Sequence, residues 1–333
     1  MARVLVTGGA GFVGSHTVKN LLDDGHEVFV LDSFMQYVQP PIDNTYVYHV
    51  NYRYKNLIDQ ATVIRCSTVN KDDLRRQLFT VKPDYVIHFA ALPLANMAIS
   101  YSEEAFQSIV GGTVNLLEIF KDADFASKFV YISSSMIYGD FETIPVPETA
   151  HKDPKEIYGG MKLAGEHMVE VYGKRYDITY SIVRPSAIYG PTDTNRRVVG
   201  LFLGNAVAGQ PIRAKNAEST YLDFSFVEDI AQGIKQVTFS EKANNEIFNI
   251  TRGRGRSLQE LIEVITKLYP KIEVEYVGGD SFRPERGALS VAKAEELVGY
   301  APQVDIEEGI KRYAAYLEEM THELKRTPEI LTA

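Results

Sequence analysis

Cysteine occurs once in the 333 residues, at Cys66, which excludes an internal disulfide. The preceding Val63-Ile64-Arg65 reads as a buried strand ending at that cysteine, which makes the thiol a core group. Positive charge is scarce as well. Lys and Arg number 35 against 44 Asp and Glu, giving a net charge of -9 and a pI near 5.4. That balance argues against a broad surface for nucleic acid, although it permits a local basic pocket. No stretch approaches the roughly 20 apolar residues that cross a bilayer, so no membrane partner is expected. Strand-like residues begin directly after Met1 and leave no room for a signal peptide, so the expected compartment is the cytoplasm. Repeats and low-complexity tracts are missing too.

The remaining composition, 45% hydrophobic and 24% charged, is that of an ordinary soluble globular protein with a large core. Apolar runs rich in β-branched residues recur at Arg3–Thr7, Glu27–Leu31, Thr62–Cys66, Tyr85–Phe89, Phe129–Ser133 and Thr179–Arg184, with helical periodicity between most of them. Strands alternating with helices imply parallel pairing with both sheet faces covered. The expected fold class is therefore α/β, a Rossmann-like doubly wound parallel sheet with a smaller α/β C-terminal substrate lobe. A helix over about Val227 to Phe239 and a strand over Glu246–Ile250 look as though they return to the first lobe. The expected domains are thus interleaved: 1–184 plus about 226–252, and about 185–225 plus 253–333. Between Asp32 and Thr62 runs a long connection holding Pro40-Pro41 and Tyr37, Tyr46, Tyr48, Tyr52 and Tyr54. It reads equally well as a flap, a partner surface or a packed loop, and no site is assigned to it.

Thr7-Gly8-Gly9-Ala10-Gly11-Phe12-Val13-Gly14 follows the first strand and opens a helix. Gly8 permits a tight turn, Gly11 lets a phosphate approach the backbone, and Gly14 lets helix and strand pack closely. The helix start at Phe12 and Val13 then offers amide groups and a positive dipole end to a pyrophosphate. Asp32, closing the second strand, is placed to accept hydrogen bonds from an adenosine ribose, and no arginine follows it to offset a 2′-phosphate. This pattern favours NAD over NADP as cofactor.

The strand over Phe129–Ser133 runs into Ser134-Ser135-Met136, exposing hydroxyls at a strand's carboxyl end, where open α/β sheets face their ligand. Tyr158 and Lys162 fall one helical turn apart on one face. An ammonium and the cofactor's positive charge favour the phenolate, so Lys162 would tune Tyr158 as a base for a hydroxyl held by Ser134.

With the glycine pattern, these residues resemble the extended short-chain dehydrogenase/reductase family, specifically its NAD-dependent nucleotide-sugar epimerases and dehydratases. His88-Phe89-Ala90-Ala91, Gly112-Thr113-Val114-Asn115 and Arg184-Pro185-Ser186-Ala187-Ile188-Tyr189-Gly190-Pro191 extend the likeness over nearly the whole chain. The resemblance gives Ser134, Tyr158 and Lys162 the catalytic positions and Asp32 the ribose position. It places Phe89, Ala90 and Ala91 in the cofactor wall, Ser67 where an adenine-contacting aspartate is usual, and His88 as a structural histidine. It implies a homodimer formed through helices at Glu103–Lys121 and Glu156–Arg175. It also puts Ser135, Met136, Ala187, Arg197 and Arg283 at the substrate. Dehydratases of the family carry an acidic residue after the catalytic Ser or Thr. Here stand Ser135-Met136, and a thioether cannot serve as acid or base, so epimerisation, commonly at C4, is favoured over dehydration. A dehydrogenase or reductase of the same family and a non-catalytic dinucleotide-sensing scaffold are the alternatives.

Three departures touch the diphosphate grip: Ala187 and Arg197 stand where the family has Asn, and Leu222 where it has Arg. Arg197, with Arg196 beside it, is expected to replace the lost contact or to bind an acidic group on the sugar. Asp223, Glu228 and Asp229 cluster in sequence, but Glu228 and Asp229 suit a helix start, and no metal site is expected.

Overall fold

The computed structural model describes residues 1–35, 43–92, 95–195, 197–278 and 284–326. Strands β1 (Arg3–Thr7), β2 (Glu27–Asp32), β3 (Thr62–Arg65), β4 (Tyr85–His88), β5 (Lys128–Ile132) and β6 (Tyr180–Arg184) alternate with helices. The helices are α1 (Phe12–Asp23), α2 (Asn44–Asn56), α3 (Lys71–Val81), α4 (Ala95–Ser100), α5 (Ser102–Phe106), α6 (Gly112–Phe120) and α7 (Ile157–Tyr176). Then come β7 (Ile188–Tyr189), α8 (Val198–Val207), β8 (Ile212–Lys215), β9 (Tyr221–Asp223), β10 (Ser225–Phe226), α9 (Val227–Phe239) and β11 (Glu246–Asn249). The chain ends through β12 (Gly255–Ser257), α10 (Leu258–Leu268), β13 (Val274–Val277), α11 (Ala292–Val298) and α12 (Ile306–Arg326).

Seven parallel strands form one sheet in the order β11-β6-β5-β4-β1-β2-β3. The order reverses between β1 and β4, which opens a crevice at the strands' carboxyl ends. Alternate residues of each strand serve opposite faces. Val4, Val6, Val28, Val30, Val130 and Val183 pack with α1 and α9, while Leu5, Phe29, Leu31, Phe129 and Ile182 pack with α3, α6 and α7. Strand β11 pairs with β6, and α9 packs against α1. Three two-stranded sheets, β10-β7, β12-β9 and β13-β8, join α8, α10 and α12 around a separate apolar cluster of Phe202, Leu203, Phe224, Leu261, Ile265 and Ile310.

Three local expectations change. The tyrosine-rich connection contains α2, whose N-cap Asp43 accepts from the amide of Tyr46. Its buried residues are Tyr48, His49 and Arg53, and Tyr48, His49 and Tyr52 all lie against Tyr316 of α12. Tyr37 and Pro40-Pro41 lie outside the described residues. β3 is largely exposed at the sheet edge, and Cys66, just beyond it, is buried. The helix expected at Glu103–Lys121 is interrupted: a π-helical turn over Gln107–Gly111 separates α5 from α6. At that break a Cβ on Gly112 would lie 2.6 Å from Thr68 Oγ1, so the segment passes close under the loop after β3.

Burial depresses the rings of His16 and His49 to a pKa of about 4 and that of His88 to about 3. Below pH 6.5 the unfolded chain therefore binds protons that the folded chain refuses. Each ring contributes up to about 1.4 kcal/mol of lost stability per pH unit as the pH falls toward its folded value. Asp223, raised to about 6 by burial, opposes them, as do Asp32 and Glu228, which burial also raises. The urea midpoint is expected to drop between pH 6.5 and 4.5, and a midpoint that rose over this interval would refute the assignment.

Candidate functional site

β1 delivers the chain into the glycine turn, where Gly8 has φ +72°. A Cβ on Gly8 would lie 2.8 Å from the amide nitrogen of Ala90, so the turn rests directly on the backbone after β4. The backbone of Phe89 and Ala90 thereby lies beside the turn. A Cβ on Gly14 would meet Gly8 O at 2.4 Å and Gly9 Cα at 2.9 Å, so Gly14 lets α1 pack on the turn itself rather than on β1. Gly11 is the N-cap of α1, with no side-chain cap and no acidic residue in the first turn. The amides at Phe12 and Val13 are thus offered to an anion, and this geometry fits a dinucleotide diphosphate.

At the end of β2 the Asp32 carboxylate accepts from Ala10 N at 3.1 Å and from Phe34 N at 2.9 Å. Burial raises its pKa, while those two amides and Arg53 oppose the rise. Each oxygen keeps a lone pair for a ribose hydroxyl. Ser67 follows β3, its hydroxyl accepting from Val69 N at 3.3 Å. Burial pushes the neighbouring Cys66 thiol up to about 12, far from a reactive thiolate. His88 sits between Thr7 and Thr113, with ring nitrogens 2.7 Å and 3.1 Å from their hydroxyls.

Beyond β5 the chain makes a 3₁₀ turn over Ser135–Tyr138, capped by Ser134, whose hydroxyl accepts from Met136 N at 3.2 Å. Helix α7 crosses this point closely. A Cβ on Gly159 would lie 2.6 Å from Met136 O, and one on Gly165 would strike the hydroxyl of Tyr131 at 2.1 Å. The start of α7, which carries Tyr158 and Lys162, therefore lies against the turn that follows β5 and Ser134. The Lys162 ammonium donates to Ile132 O at 2.8 Å and lies 5.2 Å and 5.9 Å from the ring centroids of Tyr131 and Tyr158. Packing around Tyr158 pushes its phenol up to about 12, with the Arg197 guanidinium opposing; burial pushes Lys162 down to about 7, with Glu166 opposing.

On the opposite side of the crevice, Arg197 precedes α8. Its guanidinium donates to Asp193 at 2.7 Å and lies 5.7 Å from the ring centroid of Phe12. Ala187 holds a left-handed φ of +37°, a conformation an asparagine tolerates better than alanine. Ser135 is buried, its hydroxyl bonded to Ser186 at 3.1 Å. Leu222 is partly buried against the apolar cluster of the smaller lobe. Arg196 and Arg283 lie outside the described residues.

Two arginines of this region escape sequence reasoning. Arg286 places its guanidinium against the Met136 thioether, on a segment pinned by Phe141 N to Glu285 O at 2.9 Å and Glu285 N to Asp140 at 2.8 Å. Arg53, from α2, is buried and donates to Ala10 O at 3.2 Å, to Thr192 O and to Thr194 Oγ1 at 3.3 Å. No motif marks either residue. Asp223 accepts from Thr251, Gly253 N and Leu289 N, and Asp229 from Gln303 N and Val304 N, so both carboxylates brace loops. Among the described residues no His, Cys, Asp and Glu cluster has metal-binding geometry, and no helix is long and apolar enough to cross a membrane.

A parallel sheet whose first turn presents helix amides beside an acid on the second strand is a Rossmann-like dinucleotide-binding fold. The chain belongs to the NAD dependent epimerase/dehydratase family, whose profile matches residues 4–251. NAD is the cofactor of that family. UDP-glucuronate 4-epimerase 1 of Arabidopsis thaliana is 29% identical over 335 residues, covering 94% of this chain and 76% of that protein. The crystal structure of UDP-glucose 4-epimerase from Thermotoga maritima with UDP-glucose matches with a TM-score of 0.86 at 26% identity, over 96% of this chain and 99% of that one. UDP-glucuronic acid 4-epimerase from Bacillus cereus, in complex with UDP-glucuronic acid and NAD, matches with a TM-score of 0.86 at 25% identity over the same shares.

The contact of Gly14 with the turn yields a direct test. Gly14→Ala is expected to weaken NAD binding by about tenfold or more in calorimetry, a cost of at least about 1.4 kcal/mol. Unchanged NAD affinity would show that the turn does not hold the diphosphate.

Proposed function

We propose that this protein is an NAD-dependent epimerase of a nucleotide-activated sugar, working at C4 with Tyr158 as its acid/base. The observation that supports this reading lies at the carboxyl end of β5: Ser134 caps the turn that follows it, and Lys162 reaches back to Ile132 O while lying over the Tyr158 ring. Met136 occupies the position from which an acidic residue would remove or add a proton during loss of water. Its thioether has no proton to exchange, which favours inversion over dehydration.

NAD, when bound, supplies a reversible hydride acceptor, so a sugar carbon can be oxidised and reduced again on its other face without net redox change. Gly8, Gly11, Phe12, Val13 and Gly14 would hold its diphosphate, Asp32 its adenosine ribose, Ser67 its adenine edge, and Phe89, Ala90 and Ala91 its flank. Ser134 orients the reacting hydroxyl. Tyr158 accepts that hydroxyl's proton and later returns one to the oxygen. Lys162 fixes the inner edge of this group through Ile132 O. Met136, Ala187, Arg197 and Arg283 are assigned to the substrate side, with residues 185–225 and 253–333 forming the lobe that covers the nucleotide sugar. Ser135 belongs to the same assignment as a backbone and packing element, since its hydroxyl is engaged with Ser186.

A homodimer accompanies this reading. Ile99, Phe106, Met168 and Val171 expose apolar surface along α4, α5 and α7, with exposures of 58%, 54%, 38% and 58%. A second copy of the same face is the proposed cover. The double variant Phe106→Glu, Val171→Glu is expected to halve the mass seen by light scattering; an unchanged mass would place any dimer contact elsewhere.

The activity is tested with a panel of nucleotide sugars followed by NMR and mass spectrometry. An isomer of unchanged mass, formed without added reductant, is expected. Tyr158→Phe should lower that turnover by about 10²- to 10⁴-fold while NAD binding persists. Loss of water or carbon dioxide, or stoichiometric release of reduced cofactor, would refute epimerisation.

A further inference from the structure

We propose that the turn at Pro191–Thr194 is a strained relay through which the cofactor turn positions Arg197, with Arg53 and His16 as the positioning residues that hold it. The inference rests on the assignment of Arg197 to the substrate side and adds what places that guanidinium.

The relay is visible first as a backbone conformation. Thr192 is fully buried and has φ +73°. Among the described residues it is the one β-branched residue with a left-handed φ, where a branched Cβ crowds the backbone. Lys82 and Asp177, by contrast, close helices α3 and α7, and Asn216 and Asn245 are asparagines, which adopt this region readily. Ala187, with φ +37°, and Thr192 have no such local reason, and both lie where the chain passes from β6 to α8.

A conformation of this kind persists only where surrounding contacts over-determine it. Here they come from the cofactor side. His16 on α1 places Nε2 3.2 Å from Pro191 O and 3.4 Å from Thr192 Oγ1. Arg53 on α2 donates through Nη2 to Thr192 O and, at 3.3 Å, to Thr194 Oγ1, while its Nη1 donates to Ala10 O at 3.2 Å. Ala10 sits in the middle of the glycine turn, and its amide donates to Asp32 at 3.1 Å. One residue of that turn is thus held both by the ribose-side carboxylate and by the arginine that fixes Thr192. Arg53 is 5% exposed, its Nε is buried without a partner, and its bonds go to two carbonyls and a hydroxyl rather than to a carboxylate. Burying a cation on neutral acceptors is costly, and what it secures is the turn.

On its far side the turn meets the start of α8. Asp193, its side chain 1% exposed, accepts from Asn195 N at 3.0 Å and from the Arg197 guanidinium at 2.7 Å. Arg197 lies 5.7 Å from the ring centroid of Phe12, the first residue of α1. The path from Asp32 through Ala10, Arg53, Thr192 and Asp193 to Arg197 is therefore continuous. With Asp32 and the glycine turn fixed by a bound dinucleotide, Ala10 O keeps Arg53 in place and Arg53 keeps Thr192 in its left-handed conformation. Without that support Thr192 relaxes, and Asp193 takes Arg197 with it.

Hydrogen exchange of the Asp193 and Asn195 amides tests the relay in the full-length protein, stripped of cofactor and then reloaded with NAD. NAD is expected to slow both amides by about tenfold or more. In Arg53→Met they should exchange at the fast, cofactor-free rate in both states. Thr192→Asn, which takes up the left-handed conformation at lower cost, should give the opposite result, slow exchange with or without NAD. At saturating NAD, Arg53→Met is also expected to raise the KM for the nucleotide sugar by about tenfold with kcat changed less than about threefold. The relay is overturned if NAD leaves exchange unchanged in the unsubstituted protein, or if either variant keeps the full NAD response. Should Arg53→Met fail to fold, Thr192→Asn, which removes no buried charge, decides by itself. Exchange as expected while KM stays put, or while no nucleotide sugar is turned over, supports the relay and sinks the substrate-side assignment alone.

Discussion

Arg184 at the end of β6 and Glu166 on α7 form a buried bidentate pair with contacts of 2.9 Å and 2.6 Å, and the site depends on it. Arg184 also donates to Tyr138 Oη at 2.8 Å and to Glu148 O at 2.9 Å, and Tyr138 passes the network to Asn249 of β11. Tyr158, Lys162 and Glu166 recur every four residues, so the pair that locks Glu166 to the sheet also fixes the two residues above it. Removing one member would strand a buried charge, a loss of about 3–5 kcal/mol. The neutral alternative would keep the sheet but give α7 no reason to stop at this rotation.

The glycines are the steric counterpart of that charge. Gly159 and Gly165 let α7 come down on β5 and on the turn after it, while Gly8 and Gly14 let the cofactor turn sit on Ala90 and on itself. Electrostatic locking and close approach act on the same elements: one sets the rotation of α7, the other its distance. On the far side of the crevice, Arg53 ties α2, the cofactor turn and the Thr192–Thr194 turn together, and this carries the geometry of the first strand across to Arg197.

Much of this frame is legible in sequence because it follows from local periodicity. Runs such as Arg3–Thr7 and Tyr180–Arg184 are apolar on both faces, as strands buried between two helical layers must be. The glycine turn was legible because its residue types are demanded by φ and by contact distance. Helix α2 was not legible: its buried face is made of Tyr48, His49 and Arg53, which carry polar atoms and give no apolar stripe. Their burial depends on partners such as Tyr316 and Thr192, far off in the chain. β3 misled in the opposite sense, since Val63 and Ile64 look like core residues but the strand ends the sheet and stays open on its outer side.

By itself the sequence determined the alternating elements, the dinucleotide turn with Asp32, and the one-turn spacing of Tyr158 and Lys162, because each depends on residues a few positions apart. Tertiary structure alone decided which charge faces which group. Lys162 turns to Ile132, Glu166 to Arg184 and Asp193 to Arg197, which precedes a different helix. The physical reason is that a buried charge takes its partner from whatever the fold brings within about 3–4 Å, and that distance is set by packing rather than by position along the chain.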